Sequence, residues 1–285
     1  NNTAVGSYTL DANTTGTNNV AVGYSACGAS TTTHSNTGIG YQALLVSTGS
    51  NNTAVGSDVL DACTTGNYNT GVGSQALTAS STGAQNTAVG NSALTAASTA
   101  HSNTALGYQA LQAVTTGGNN IGIGTDAGIA SSPGGAVTTG TNQVCIGDEN
   151  ITHAHIQVDW TIASDARDKT DVEDLSIGLD FVKQLKPKTY RWDKRSLYSK
   201  AQNIEPDGSH KADQLDVGFL AQDVDALEKS LGFNDTDKKN LISSLSEDGQ
   251  MYGLKYSKFV PMLVNAVQEL SAEVEELKQQ LNQEE

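Results

Sequence analysis

Eight times in the first half of the chain a short run of alternating apolar and polar residues closes on a glycine. The runs are NNTAVG, NNVAVG, SNTGIG, NNTAVG, YNTGVG, QNTAVG, SNTALG and NNIGIG, ending at Gly6, Gly23, Gly40, Gly56, Gly73, Gly90, Gly107 and Gly124. The spacing is 17 residues, with one step of 16. An asparagine stands four positions before every one of these glycines, and a leucine usually follows by four (Leu10, Leu44, Leu60, Leu77, Leu94, Leu111). One short alternating segment per unit cannot bury a hydrophobic face by itself, and a unit so rich in Gly, Thr and Asn is no helical repeat, so the copies must stack. Stacking sets each segment about 4.8 Å above the last, with asparagines hydrogen-bonded along the ladder and Val, Ile and Leu filling a thin core. The glycines take corners that need positive φ or close backbone approach. Residues 1–148 are therefore expected to form a mainly β solenoid or β-roll, and three copies around an axis would bury more of it than one ribbon can. The period breaks after Gly124, where GIASSPGGAVTTGT inserts a loop before NQVCIGD, a suitable place for recognition on a rigid scaffold.

The pattern then changes. Residues 149–163 are expected as a β segment. Beyond them, DVEDLSIGLDFVKQLKP carries Val172, Leu175, Leu179, Val182 and Leu185 at helical spacing up to Pro187. KTYRW, DVGFLAQDV and QMYGLKY predict short strands, the second running into a helix. Leu263, Val267, Leu270, Val274, Leu277 and Leu281 alternate at spacings of four and three, a coiled-coil seam of about two and a half heptads. Val and Leu in those positions lean toward a parallel dimer, in conflict with a threefold shaft; over so short a seam the repeat geometry decides.

Charge divides the chain at the same place. Of 31 acidic residues only seven lie in residues 1–163, and all 16 basic residues lie from Arg167 onward. A shaft without Lys or Arg cannot neutralise phosphates, which excludes nucleic acid and anionic membrane surfaces and favours neutral partners such as glycans. No apolar run is long enough to span a membrane as a helix. Cys27, Cys63 and Cys145 have neither pairing nor zinc-ligand spacing and are expected as small buried hydrophobes. The chain opens in the middle of a motif, without Met or a signal sequence, as part of something longer would.

Inside ASDARDK, residues 163–169, charge arrives abruptly. SDARDK, followed by TYRW, GFLAQDV and YSKFVPMLVNAVQEL before a terminal helix, resembles the intramolecular chaperone autoproteases at the C-termini of phage tailspikes, endosialidases and tail fibres. The repeats before it resemble trimeric-adhesin heads and tail-fibre shafts. The resemblance implies a small α/β domain, residues 164–285, that trimerises, guides folding of the shaft, and then cuts the chain once, in cis, between Ala163 and Ser164. It implies a dyad of Ser164 and Lys169, with no cofactor required. A serine hydroxyl needs a base, which an unprotonated lysine supplies when burial favours its neutral form. Backbone amides or Arg167, with Asp165 in support, could stabilise the oxyanion. Residues five apart meet on neither a strand nor a helix, so either the segment turns sharply or a neighbouring chain completes the site. The implied setting is a virion tail fibre that adheres to a host surface glycan or protein, its chaperone released in the host cytoplasm during assembly. The alternatives are a cell-surface trimeric adhesin whose C-terminal domain is permanent, and a glycan-degrading tailspike.

Two smaller signals complete the sequence. His153 and His155 fall on one face of the expected strand, where six imidazoles of a trimer could hold an axial iron or zinc. Asp58 and Asp61 are the closest acidic pair in the repeats, Asp11 sharing the Asp61 position three turns away; a glycosidase needs carboxylates about 5 to 10 Å apart, and no aromatic platform is expected beside these.

Overall fold

A computed structural model describes residues 1–198, 205–233 and 241–284. It divides into two compact units, Asn1–Thr152 with Ser246–Met251, and His153–Leu245 with Tyr252–Glu285. The stretch from Asp193 to Gln214, the most variable part of the motif-bearing segment, lies in part, at residues 199–204, outside the described residues.

The first unit is a β-solenoid. Nine strands of three residues, β1 (Thr3–Val5), β2 (Val20–Val22), β3 (Thr37–Ile39), β4 (Thr53–Val55), β5 (Thr70–Val72), β6 (Thr87–Val89), β7 (Thr104–Leu106), β8 (Ile121–Ile123) and β9 (Val144–Ile146), pair in parallel in chain order. Successive partners are 17 residues apart except at Thr37↔Thr53, a step of 16, and Ile121↔Val144, a step of 23 that contains the predicted insertion. The asparagine ladder is complete on both of its sides: Asn36 Oδ1 accepts from the Asn52 N–H at 2.9 Å, while Asn36 Nδ2 donates to the Gly49 carbonyl at 2.8 Å. The same pair of bonds recurs from Asn2 to Asn120, so buried amides lose no hydrogen bonds to the core.

The middle residue of each strand from β2 to β8 is buried. Ala21, Ala54, Ala88 and Ala105 are fully buried beside the leucine column Leu44, Leu60, Leu77, Leu94 and Leu111. Volume is balanced between turns: Val59 fills a place that is Ala43 or Ala76 in adjacent turns, and Gly71 above it has no side chain, since a Cβ there would lie 2.6 Å from Val59 Cγ1. The corner glycines take φ from +110° to +140° between Gly6 and Gly124, as expected. What their spacing did not foretell is that non-glycine residues two and four places later are also left-handed, for example Gln42 and Leu44 at φ +55°. Each such residue costs about 1–3 kcal/mol. The cost is offset by bonds to neighbouring turns, Gln42 N–H to Tyr24 O at 2.9 Å and Leu44 N–H to Val59 O at 3.0 Å.

The second unit is small and α/β. Its elements are α1 (Leu179–Gln184), β10 (Lys188–Tyr190), β11 (Asp216–Gly218), α2 (Ala221–Ser230), β12 (Ser243–Leu245), β13 (Tyr252–Leu254) and the long α3 (Phe259–Glu284). β10 pairs antiparallel with β11, and β12 with β13. Ile177, Phe181, Val224, Ile242, Phe259 and Met262 form the core. The predicted strands and the helix after DVGFL are present. The first helix is shorter than its apolar spacing suggests: it starts at Leu179, leaving Val172 and Leu175 exposed outside it. The cause is Glu269 of α3, whose carboxylate accepts the Leu179 N–H at 2.6 Å and occupies the space a side chain at position 178 would need. Residues 149–163, expected as a β segment, form no strand in the single chain.

Candidate functional site

The two residues that no regular element can bring together are brought together by a turn. A single 3₁₀ turn, Ala166–Asp168, folds the chain back after Ser164 and returns it to extended backbone at Lys169. Lys169 Nζ then lies 2.7 Å from Ser164 Oγ and 3.2 Å from the Ser164 carbonyl oxygen. The sharp turn, the first of the two arrangements open from the sequence, is present within one chain.

Asp165 and Arg167 shape that turn. Asp165 caps it in extended backbone, its carboxylate accepting the Arg167 N–H at 2.9 Å. The same carboxylate grips the Arg167 side chain through Nε at 3.1 and 3.2 Å and Nη2 at 2.7 Å. The Arg167 guanidinium, and secondly its N–H, hold the Asp165 carboxyl below the usual carboxylate range. Arg167 is bound to Asp165 in the single chain and so braces the turn. Ser164 and Lys169 are both exposed in one chain.

The other sequence candidates lie apart from this pair. His153 and His155 stand with parallel rings, centroids 5.8 Å apart; among the described residues no group of three or more His, Cys, Asp or Glu side chains is placed to hold a metal within one chain. Asp61 is half-buried, and burial first, then the nearby Asp58 charge, raises its carboxyl above the ordinary range. Cys27 and Cys63 are fully buried, Cys145 partly so. Burial pushes the Cys27 thiol up to about 12, the behaviour of an inert core residue.

One feature was missed. Tyr8, Tyr24 and Tyr41 form an exposed ladder up the solenoid, Tyr8 edge-on to Tyr24 at 5.6 Å and Tyr24 stacked on Tyr41 at 5.5 Å. The signal was available, because Tyr24, Tyr41 and Tyr108 each follow a corner glycine directly, and stacking makes neighbours of equal repeat positions.

No helix among the described residues is long and apolar enough to cross a membrane. No curated protein and no solved structure gives a significant match to the chain. One family model does match, over residues 164–233, and its first matched residue is the serine of the Ser164–Lys169 pair. The segment that follows the solenoid is therefore similar to the peptidase family described as chaperone of endosialidase.

Proposed function

We propose that this chain is the distal part of a homotrimeric tail fibre or tailspike of a phage, and that residues 164–285 guide the folding of the solenoid and then cut themselves off. The observation that carries the cut is the 2.7 Å contact of Ser164 Oγ with Lys169 Nζ beside the Ala163–Ser164 bond. Lys169 in its neutral form takes the Oγ proton, and Oγ attacks the carbonyl carbon of Ala163. The C–N bond to Ser164 breaks as the proton passes to the Ser164 nitrogen, leaving an ester between Ala163 and Oγ. Water hydrolyses that ester, giving an Ala163 carboxylate and a chain that begins with Ser164. A lysine serves as base where water is excluded, and the exposure of the dyad in one chain fits a cut that waits for neighbouring copies to cover it.

Trimer formation is supported by an uncovered apolar surface on α3. All six seam residues of α3 are exposed, from Val274 at 41% to Val267 and Leu281 at 65%. Phe259, Met262 and Ala266 of the same helix are buried, so α3 offers one face to its own domain and another to a coiled-coil partner. Three near-identical stacks could pair at many offsets of a 17-residue unit, and a globular trimer that forms first removes the choice. Adhesion is supported by the base-free shaft and by the tyrosine ladder, which suit a neutral glycan better than an acidic one.

A denaturing gel with intact mass measurement on freshly expressed chain tests the cut. Wild type is expected as two fragments that meet between Ala163 and Ser164, with Ser164→Ala and Lys169→Ala intact. A single uncut wild-type chain in a folded trimer would leave a permanent assembly domain and favour the adhesin. Asp165→Ala is expected to slow the cut several-fold without abolishing it, because the turn loses its cap and its brace while both dyad residues remain. The Asp165 carboxyl is lowered in the fold, so the brace is present above the ordinary carboxylate range and is lost as pH falls through the depressed value. A time course of fragment release reads both effects, and equal rates in Asp165→Ala and wild type would remove the brace from the mechanism.

A further inference from the structure

Immediately before the scissile bond runs HIQVDWTI, residues 155–162, in strict alternation: Ile156, Val158, Trp160 and Ile162 on one parity, His155, Gln157, Asp159 and Thr161 on the other. Such a pattern belongs to a strand with one buried face. Yet no strand forms there, and the four apolar side chains are 52%, 73%, 74% and 73% exposed. Pattern and environment contradict each other in the single chain, so the partner that reconciles them is outside it.

We infer that the partner is two further copies of the same segment, and that Ile156, Val158, Trp160 and Ile162 of three chains pack around a threefold axis as the terminal plug of the cut shaft. The inference rests on the trimer and the cut proposed above. The cut itself selects the occupant. Once residues 164–285 are gone, Ile162 is the penultimate residue of the shaft product, and whatever covers the apolar face must remain after the chaperone leaves. A flat alternating Ile/Val/Trp edge left open at the fibre tip would pair with other fibres and aggregate. A face that every copy presents identically is closed by symmetry. Charge agrees: the only ionised side chain between Gln157 and Ala163 is Asp159, on the opposite parity, and no Lys or Arg precedes Arg167. Three chains packed by the apolar parity keep their Asp159 carboxylates outward and apart.

Two consequences follow from the parity. His153 and His155 share the parity of Gln157 and Asp159, so they face outward in the plug, and an axial metal site gives way to apolar packing. Ile162 is next to Ala163, so seating Ile162 at the axis fixes the acyl side of the scissile bond. The serine attack then has a stationary carbonyl only after three chains have met, which ties the chemistry to assembly.

The chain has two tryptophans, Trp160 and Trp192, and the cut separates them. The isolated shaft product therefore reports Trp160 alone. Its emission is expected to be shifted to the blue of a solvated indole, with several-fold weaker acrylamide quenching than in denaturant. A cut, folded trimer whose Trp160 emits and quenches as in water overturns the plug while leaving the cut in place. If the chain is trimeric but uncut, Trp192→Phe gives the same measurement on the whole protein: a shielded Trp160 supports the plug without the cut, and a solvated one removes both. A monomer overturns the plug and the trimer together. Val158→Asp is expected to lose the resistance of the product trimer to detergent, whereas Gln157→Asp keeps it; equal behaviour of the two variants would contradict the assigned parity.

Discussion

Gly40→Ala is expected to break the solenoid between its third and fourth turns. The residue sits at φ +137°, where L side chains are strained by about 1–3 kcal/mol. Strain is the smaller part. A Cβ at position 40 would overlap the carbonyl oxygen of Gly56 in the next turn and lie 2.6 Å from its carbonyl carbon. The obstacle is backbone, so no rotamer change relieves it, and the turns must separate. The total loss is expected at about 4 kcal/mol or more, in the range that only a few mechanisms reach. In a stack whose stability is a sum of neighbour contacts, the damage stays at one interface and uncouples the turns on either side. Thermal unfolding followed by circular dichroism, with limited proteolysis, is expected to show early cleavage near residues 40–56. Gly38→Ala is the control. Its nearest neighbour is a side chain, Cys27 Sγ at 2.8 Å, the backbone of Ala43 comes no closer than 3.1 Å, and the same strand position holds Ala21 and Ala54 in adjacent turns, so its effect is expected to be much smaller. Equal melting of Gly40→Ala and wild type would mean that the corners do not need glycine.

Much of the solenoid is legible in the sequence, and the reason is physical. A stack of nearly equal turns writes its geometry into a period, so Asn36, Gly40 and Leu44 announce a ladder, a corner and a core column by spacing alone. The strands β10, β11 and β13 and the helix α2 were legible from short-range pattern in the same way. What the period could not show is what happens at single residues in three dimensions. Gln42 and Leu44 are left-handed because bonds from neighbouring turns hold them so, and neither residue type signals it. Val172 and Leu175 have helical spacing, yet Glu269, some ninety residues later, decides where α1 begins. At the site, Ser164 and Lys169 were named from a motif, whereas the Asp165–Arg167 brace that folds the turn required the geometry. The alternation of residues 155–162 reads as a strand in the sequence and forms none in the single chain, as the proposed packing of three copies would have it.

The proposed cut and plug require residues 164–285 to fold first, and Glu228 tests that requirement from a distance. Glu228 of α2 is 1% exposed, and its carboxylate accepts the Ile242 N–H at 2.7 Å, the Ser243 N–H at 3.0 Å and the Ser243 hydroxyl at 2.5 Å. It fastens the entry of β12 to α2 beside the core residues Val224 and Ile242. Glu228→Ala leaves buried backbone donors without their acceptor, at about 1–3 kcal/mol each, and opens a cavity besides. The domain is expected to lose about 3–5 kcal/mol, a large share of what a small domain has. Glu228→Gln keeps one acceptor oxygen and is expected to fall between Ala and wild type. Glu228 is in neither the solenoid nor the 163–169 segment, so a merely attached domain would melt by itself and leave the shaft intact. A chaperone that sets register behaves otherwise: as the domain's stability falls from wild type through Gln to Ala, the yield of detergent-resistant trimer and of cut product is expected to fall with it. Chemical denaturation of the domain in each variant, set beside the fraction of cut trimer, reads the relation. A destabilised Glu228→Ala chain that still assembles and cuts at wild-type yield would deny residues 164–285 their part in folding the shaft.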